Sequence, residues 1–138
     1  YALRDASDAA ALAVMSRLLD REACRFVPLS RTMLVSEVVE RLKAERPAGL
    51  CLLSVPPGGM AHARTLCKRL RAAVPDLKIA VGRWASTLPE KYRSALTEAG
   101  ATYVGRTPAE TREHAISMAR LRPTNAVARN GRPVAGAG

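Results

Sequence analysis

Apolar residues recur along the chain with two different spacings. Segments with apolar positions three and four residues apart predict amphipathic helices, whereas short runs that are apolar on both sides predict buried strands. The predicted helices run from about Asp8 to Asp20, from Val35 to the residue before Pro47, from after Gly59 to Val74, from Thr87 to Gly100, and from Pro108 to about Leu121. The predicted strands are 24–29, 49–55, 77–82 and 101–105. Strands that alternate with helices indicate βαβ units and a parallel sheet.

Local signals mark the ends of several of these elements. Pro28 cannot donate a ladder hydrogen bond, so the strand 24–29 is predicted to lie at a sheet edge. Thr87-x-x-Glu90 and Thr107-Pro108-Ala109-Glu110 each match a capping box, and Gly100 is typical of a helix end. We therefore expect helices to start at both threonines.

The order of elements predicts an α/β fold, an open, doubly wound parallel sheet of the flavodoxin-like kind with three layers. Such a sheet should begin with a central strand, yet only Tyr1-Ala2-Leu3 precedes the first helix, which Asp5 or Ser7 would cap. We expect the first strand to be largely missing because the sequence is an excerpt from a longer polypeptide. The domain is predicted to span 1–121, and 122–138, rich in Pro, Gly and Asn, is predicted to be a flexible tail.

Composition and charge add two constraints. Hydrophobic residues make up 48% of the 138 residues but aromatic residues only 4%, so the core must be built mainly from aliphatic side chains. The 22 Lys and Arg against 12 Asp and Glu give a formal net charge of +10. This charge favours an anionic partner, such as a phospholipid surface or a nucleic acid, unless it reflects only a biased composition of the bacterial type.

The cysteines and the apolar runs limit the possible cellular locations of the chain. Cys24, Cys51 and Cys67 have no CxxC or Cys/His spacing, so we expect reduced thiols and no metal site. The longest apolar stretch, 49–57, is too short to span a bilayer, and no signal-peptide pattern opens the chain. The sequence predicts a soluble, cytoplasmic domain.

Ligands of open α/β sheets bind at the carboxyl ends of the strands. The residues that the predicted loops supply there are Asp5, Ser7, Ser54, Gly58, Gly59, Gly82, Arg83, Trp84 and Arg106. Arg83 and Arg106 would attract a small anionic ligand on which Trp84 would stack; the alternative is two solvated arginines beside a partly buried ring. Gly58 and Gly59 would let backbone N–H groups approach an anion or would form a tight turn.

Three of these loops carry motifs. Asp5-Ala6-Ser7-Asp8-Ala9-Ala10, Ser54-Val55-Pro56 and Gly82-Arg83 resemble, in that order, the Asp-x-His-x-x-Gly, Ser-x-Leu and Gly-Gly motifs of the cobalamin-binding domains of mutases and methyltransferases. The likeness extends from about Asp5 to Ala115 and implies a flavodoxin-like fold. Because Ser7 stands where the family has its cobalt-binding histidine, and Arg83 where it has a second glycine, we expect no cobalamin and no other cofactor.

A second resemblance is narrower and covers Leu66–Trp84. This segment, which includes Leu66-Cys67-Lys68-Arg69-Leu70-Arg71, is similar to a cytosolic extension of some permeases of the autoinducer-2 exporter-like family. The resemblance implies a regulatory or assembly role within a larger membrane transport protein, at the cytosolic face of the membrane. Cytoplasmic regions of membrane proteins favour Lys and Arg, which agrees with the basic composition.

The titratable residues form no catalytic set. Asp5 and Asp8 are placed as in phosphate-accepting receiver domains, but Ser54 stands where those domains have an aspartate, so we interpret both as acids at a helix N-terminus. His62 and His114 are far apart and lack the spacing of a metal site or of a nucleophile and its base. The sequence therefore predicts that the domain is not an enzyme.

Three functions stay open from the sequence. The first is a non-enzymatic sensory, regulatory or interaction domain with a degenerate ligand crevice, whose partner is another protein or the remainder of its parent chain. The second is a genuine cobalamin-binding module without a protein histidine. The third is a nucleic-acid binder that uses Arg64, Lys68 and Arg71, although the sequence has no recognition-helix motif and no aromatic stacking platform.

Overall fold

The computed structural model describes residues 1–2, 5–19, 24–30 and 32–121. Its helices are α1 (Ala6–Leu18), α2 (Val35–Glu45), α3 (Met60–Ala73), α4 (Glu90–Ala99) and α5 (Pro108–Arg120), and its strands are β1 (Leu50–Leu53), β2 (Ile79–Gly82) and β3 (Tyr103–Gly105). The three strands are all parallel and lie in the order β1-β2-β3. The predicted α/β class with an open parallel sheet is confirmed at this level.

Alternate side chains of the strands point into two separate cores. Leu50 and Leu52 of β1 belong to a core shared with α2, α3 and α4, whereas Cys51 and Leu53 belong to a core shared with α1 and α5. Every residue of β1 and β2 is buried, as expected for strands that helices cover on both faces. The α1 and α5 side is the richer of the two in alanine and methionine.

The start of the chain lies beside β1. The Tyr1 nitrogen donates to the Cys51 carbonyl at 2.7 Å, and the Leu53 N–H donates to the Tyr1 carbonyl at 2.9 Å. Ala2 forms a parallel bridge with Leu53. These two residues therefore extend the sheet by a short additional pairing on the side of β1 away from β2.

The predicted edge strand 24–29 is wrong, since its residues form no strand. The alternation that suggested it is present in the packing, because Leu29 lies in the core of α2, α3 and α4 while Phe26 packs against the other core. Alternating burial shows which side chains are covered but not which backbone groups pair, and Pro28 removes one donor that a ladder would use. The burial pattern of this segment was predictable, but its backbone pairing was not.

One predicted capping box is wrong and the other is formed only in its threonine half, because the Glu110 carboxylate accepts from the N–H of Arg106 and not from that of Thr107. The helix expected from Thr87 begins instead at Glu90, with Pro89 at the N-cap position and no side-chain cap. Proline disfavours the helical conformation for the residue before it, so the helix cannot start upstream of Pro89. At α5 the Thr107 hydroxyl accepts the Glu110 N–H at 3.1 Å, as predicted.

The other helix ends agree closely with the sequence. α2 ends at Glu45, before Pro47, and α4 is followed by Gly100 at a φ of 122°. The predicted flexible tail, 122–138, lies outside the described residues. None of the helices in the described ranges is long and apolar enough to cross a membrane.

Candidate functional site

The carboxyl ends of the three strands lie side by side at one edge of the sheet. The ladder continues beyond the strands, because the Ser54 N–H donates to the Gly82 carbonyl at 3.0 Å and the Arg83 N–H to the Gly105 carbonyl at 2.9 Å. The loops after β1, β2 and β3 therefore leave the sheet at the same level. This is the edge at which open α/β sheets bind their ligands.

Arg83, the first residue after β2, is only 5% exposed. Its Nη1 donates to the carbonyl oxygen of Ser54 at 3.0 Å and to the Ser54 hydroxyl at 3.1 Å, and its Nη2 donates to the carbonyl oxygen of Gly58 at 2.7 Å. A buried guanidinium is costly unless its donors are bonded. The arginine thus connects the loop after β2 to the loop after β1.

Trp84 is held on the opposite side of the same edge, over β3. Its indole Nε1 donates to the Thr111 hydroxyl at 2.9 Å, and that hydroxyl donates to the Thr107 carbonyl at 2.9 Å. Thr111 is fully buried on the inner side of α5. The ring is therefore fixed by a chain of hydrogen bonds within the protein.

Two strand-ending glycines make room for Thr111. A Cβ at Gly82 would lie 2.7 Å from Leu53 Cδ2 and 3.2 Å from the Thr111 hydroxyl, and a Cβ at Gly105 would lie 2.6 Å from that hydroxyl. Side chains at either position would have to displace Thr111 or the sheet. Gly82, predicted to face a ligand, is instead required by internal packing.

The first turn of α1 reaches the same edge of the sheet. Asp5 is the N-cap, and its carboxylate accepts the N–H groups of Ser7 at 3.0 Å and of Asp8 at 3.3 Å, as the sequence predicts. Asp8 is fully buried, and its Oδ1 accepts the Val55 N–H at 2.7 Å. Asp8 therefore attaches α1 to the loop after β1, a role beyond that of a helix-terminal acid.

The two buried charges at this edge have opposite signs and bind neighbouring residues. Arg83 binds Ser54, and Asp8 binds Val55. Opposite charges in a poorly solvated region stabilise one another. The short segment after β1 thus joins a cation from β2 and an anion from α1.

The glycines of the loop after β1 are explained by backbone conformation. Gly58 and Gly59 have φ values of 78° and 76°, in the left-handed region that favours glycine. The Gly58 carbonyl accepts from Arg83, and Gly59 is the N-cap of α3. Of the two interpretations left open by the sequence, the tight turn accounts for both residues.

Two predicted site residues lie outside this network. Arg106 is exposed, with its Nε 3.7 Å from a carboxylate oxygen of Glu110 on α5. Ser7 is exposed on α1. The predicted anion-binding pair of Arg83 and Arg106 is not formed, because the first is buried against the loop after β1 and the second lies beside α5.

The thiols and histidines add no reactive group to this edge. Burial raises the pKa of Cys51 and of Cys67 to about 11, so both are protonated thiols near neutral pH. His114 stacks on the Tyr103 ring with centroids 4.7 Å apart, and burial lowers its pKa. Across the described ranges, no group of three or more His, Cys, Asp or Glu could hold a metal ion.

Thr111 is the residue of this network that the sequence analysis missed. A threonine within an amphipathic helix gives little signal, because its hydroxyl can bond the backbone of its own helix. The available signal lay elsewhere, in Gly82 and Gly105, which end two consecutive strands. Glycines at adjacent strand ends indicate that another group approaches the backbone closely.

A scan against protein-family models found no match, and neither did searches of the curated proteins and of the solved structures. The function must therefore be inferred from the residues of the chain.

Proposed function

We propose that this chain is a non-enzymatic regulatory or interaction domain whose ligand crevice is closed by its own side chains. The observation that carries the proposal is the burial of Arg83 in three hydrogen bonds to Ser54 and Gly58. A crevice prepared for an anion would direct these donors toward the ligand. Here they are directed at oxygen atoms of the protein.

The environment of Ser54 supports the absence of catalysis at this edge. A serine nucleophile needs a base within hydrogen-bond reach. The Ser54 hydroxyl is 3.1 Å from Arg83, which donates hydrogen bonds and accepts none. Asp8 directs one of its oxygen atoms to a backbone N–H of the neighbouring Val55.

The flavodoxin-like topology is the finer part of the proposal. In the flavodoxin-like order 2-1-3-4-5, the first strand lies beside the third. The bridge between Ala2 and Leu53 supports this order, with β1, β2 and β3 as the third, fourth and fifth strands. Arg83 then stands where the cobalamin-binding domains have a glycine, and its side chain fills the crevice in which their cofactor would lie.

The second part of the proposal is that the domain belongs to a larger membrane transport protein and lies at the cytosolic face of the membrane. The resemblance of Leu66–Trp84 to the permease extension is its basis. That segment contains most of α3, all of β2, and the two side chains that close the crevice. The likeness therefore involves the residues to which the proposal gives a structural role.

Ligand titration tests the closed crevice. Trp84 is the only tryptophan of the chain, so its fluorescence reports directly on this edge of the sheet. We expect no saturable change when cobalamins, ATP or inorganic phosphate are added up to about 1 mM, the range in which a weak specific site would fill. Isothermal calorimetry of the same mixtures provides a second readout.

The variant Arg83→Lys decides between a structural and a ligand-binding arginine. Lysine keeps the charge but not the planar guanidinium group. If Arg83 has only a structural role, the variant should be less stable than the wild type and, like the wild type, should bind none of these ligands. Saturable binding by the wild type that weakens in this variant would contradict the proposal. Cobalamin binding with an altered absorbance spectrum would instead favour the cobalamin module.

A further inference from the structure

The positive charge of the domain is concentrated on one helix. α3 contains four Lys and Arg residues and no acidic residue, whereas the other four helices together contain seven basic and eight acidic residues. A bias in genomic composition would distribute arginine without regard to position. The imbalance of α3 therefore needs an explanation specific to this helix.

Three of the four α3 cations make no side-chain hydrogen bond or ion pair with another described residue. Arg64, Lys68 and Arg69 are exposed, and within the described part of the chain none has an acidic partner within 4 Å. The fourth, Arg71, is bound to the carbonyls of Pro75 at 2.6 Å and Gly100 at 2.7 Å. Like charges spaced four residues apart destabilise a helix, so Arg64 and Lys68 are retained at some cost to the fold.

The outer face of α3 carries small residues along its middle and cations on both sides of them. Ala61, Thr65 and Ala72 are exposed along the middle of this face, and the helical period places Arg64 and Lys68 on one side of them and Arg69 on the other. Small residues allow another helix to approach closely, and charges on either side select its partner residues, as in coiled coils.

The neighbouring helices argue against a broad or uniformly anionic partner. α3 packs between α2 and α4, both of which expose acidic side chains, including Glu40 and Glu98. A flat anionic membrane pressed against α3 would also meet these acids. No large apolar residue of α3 is exposed for insertion into lipid, whereas Leu34, the N-cap residue of α2, and Tyr92, in the first turn of α4, are exposed on the flanking elements.

We infer that the outer face of α3 binds an acidic amphipathic helix of a protein partner, with Arg64, Lys68 and Arg69 as its charge contacts. The inference rests on the proposal that this is an interaction domain, and it names the chemistry of the partner. Nothing in the inference depends on the state of the crevice, so the two proposals fail separately.

Binding of a defined probe tests the inference. The probe is a fluorescent synthetic helix with glutamates four residues apart on one face, and its anisotropy is measured with the full 138-residue chain. We expect binding that weakens as salt is added and a Kd about tenfold higher for the triple variant Arg64→Gln/Lys68→Gln/Arg69→Gln.

The matched control has the same net charge as the triple variant. Arg17→Gln/Lys43→Gln/Arg120→Gln removes three exposed cations from α1, α2 and α5, and we expect it to bind the probe within about twofold of the wild type. An equal loss in both variants would assign the effect to net charge and overturn the inference. Absence of probe binding would also overturn it.

Two further probes distinguish the other classes of partner. Phosphatidylserine vesicles and a 20-nucleotide single-stranded DNA are added to the same proteins. The inference would be overturned if the vesicles or the DNA bound more tightly than the acidic helix and if that binding were lost in the α3 variant but kept in the control. The α3 face would then be a lipid or nucleic-acid surface. Throughout, the response of Trp84 to small ligands reports on the crevice independently.

Discussion

The carboxyl edge of the sheet and the outer face of α3 use the same residue type in opposite ways. At the sheet edge Arg83 is buried and bonded to Ser54 and Gly58. On α3, Arg64 and Arg69 are exposed with no acidic partner among the described residues. A buried arginine that donates hydrogen bonds to protein oxygens maintains the fold, whereas an exposed arginine without an acidic partner is available to a partner molecule.

The burial of Arg83 and the exposure of Arg64 and Arg69 lead to a different functional interpretation from the one that loop position alone suggests. Loops at strand ends are where an open α/β sheet is expected to bind ligands, and charged helix faces are usually solvated. In this domain Arg83, which follows β2, is internal, whereas Arg64 and Arg69 of α3 are exposed. Stability should therefore respond to changes at the sheet edge, and binding should respond to changes on α3.

The largest expected effect is the loss of stability in Arg83→Met. The substitution keeps a long side chain but removes the Arg83 donors from the buried Ser54 oxygens and from the Gly58 carbonyl. We expect the free energy of unfolding, measured by urea denaturation, to fall by about 3 kcal/mol.

Arg106→Met is the control for this prediction, because Arg106 lies at the same edge but is exposed and 3.7 Å from Glu110. Its loss should cost no more than about 0.5 kcal/mol. Equal effects of the two substitutions would remove the distinction between a bonded and a solvated arginine.

The next largest effect is expected from Thr111→Val, which tests the hydrogen-bond chain that holds Trp84. Valine has nearly the shape of threonine but leaves the indole N–H without its acceptor, so we expect a loss of about 1–2 kcal/mol. Tryptophan emission should shift to longer wavelength as the ring loosens. Thr97→Val is the matched control, since Thr97 also bonds a carbonyl four residues earlier but is exposed, and it should change stability by less than about 0.5 kcal/mol.

His114 is an intermediate case, a titratable group that is stacked on Tyr103 with its Nδ1 buried and without a partner in the described structure. Burial lowers its pKa below the ordinary value of 6.5, so the unfolded chain takes up the proton at a higher pH than the folded domain does. Titration of His114 should therefore leave the free energy of unfolding unchanged above about pH 6.5 and should lower it as the pH falls further.

The decrease should be smaller in His114→Gln than in the wild type, because the buried imidazole is then absent. Urea denaturation at pH 5 and pH 7.5 measures the difference. A slope unchanged by His114→Gln would show that carboxylates alone produce the acid sensitivity.

The sequence predicted the helices and strands better than it predicted the site. Periodicity located β1, β2, β3 and all five helices, because each apolar pattern corresponds to burial on one face or on both. It misplaced the start of α4, because Pro89 prevents the helix from beginning at Thr87. It also predicted a strand at 24–29 from the alternation of apolar residues alone. Local patterns identify what is buried but not which backbone groups pair.

The candidate residues lie in loops and at a helix start near one edge of the sheet, but their roles were not predictable. Whether Arg83 points to solvent or to Ser54 depends on the distance between two loops that are far apart in sequence. The same is true of Asp8 and Val55, which are 47 residues apart. Such contacts follow from the register of neighbouring strands, which no single-segment pattern contains.

The smallest expected effect is on α3, and its sign is the opposite of that for Arg83. In Arg64→Gln/Lys68→Gln two like charges four residues apart are removed, so the free energy of unfolding should stay constant or rise by up to about 0.5 kcal/mol at low salt. The rise should disappear in about 1 M salt, where surface charges are screened. Arg41→Gln, which breaks the 2.6 Å ion pair with Glu45 on α2, should instead lower stability by a few tenths of a kcal/mol, about the value of an exposed pair. A loss above about 1 kcal/mol in the α3 variant would mean that its cations support the fold, and the distinction between the two sets of arginines would no longer hold.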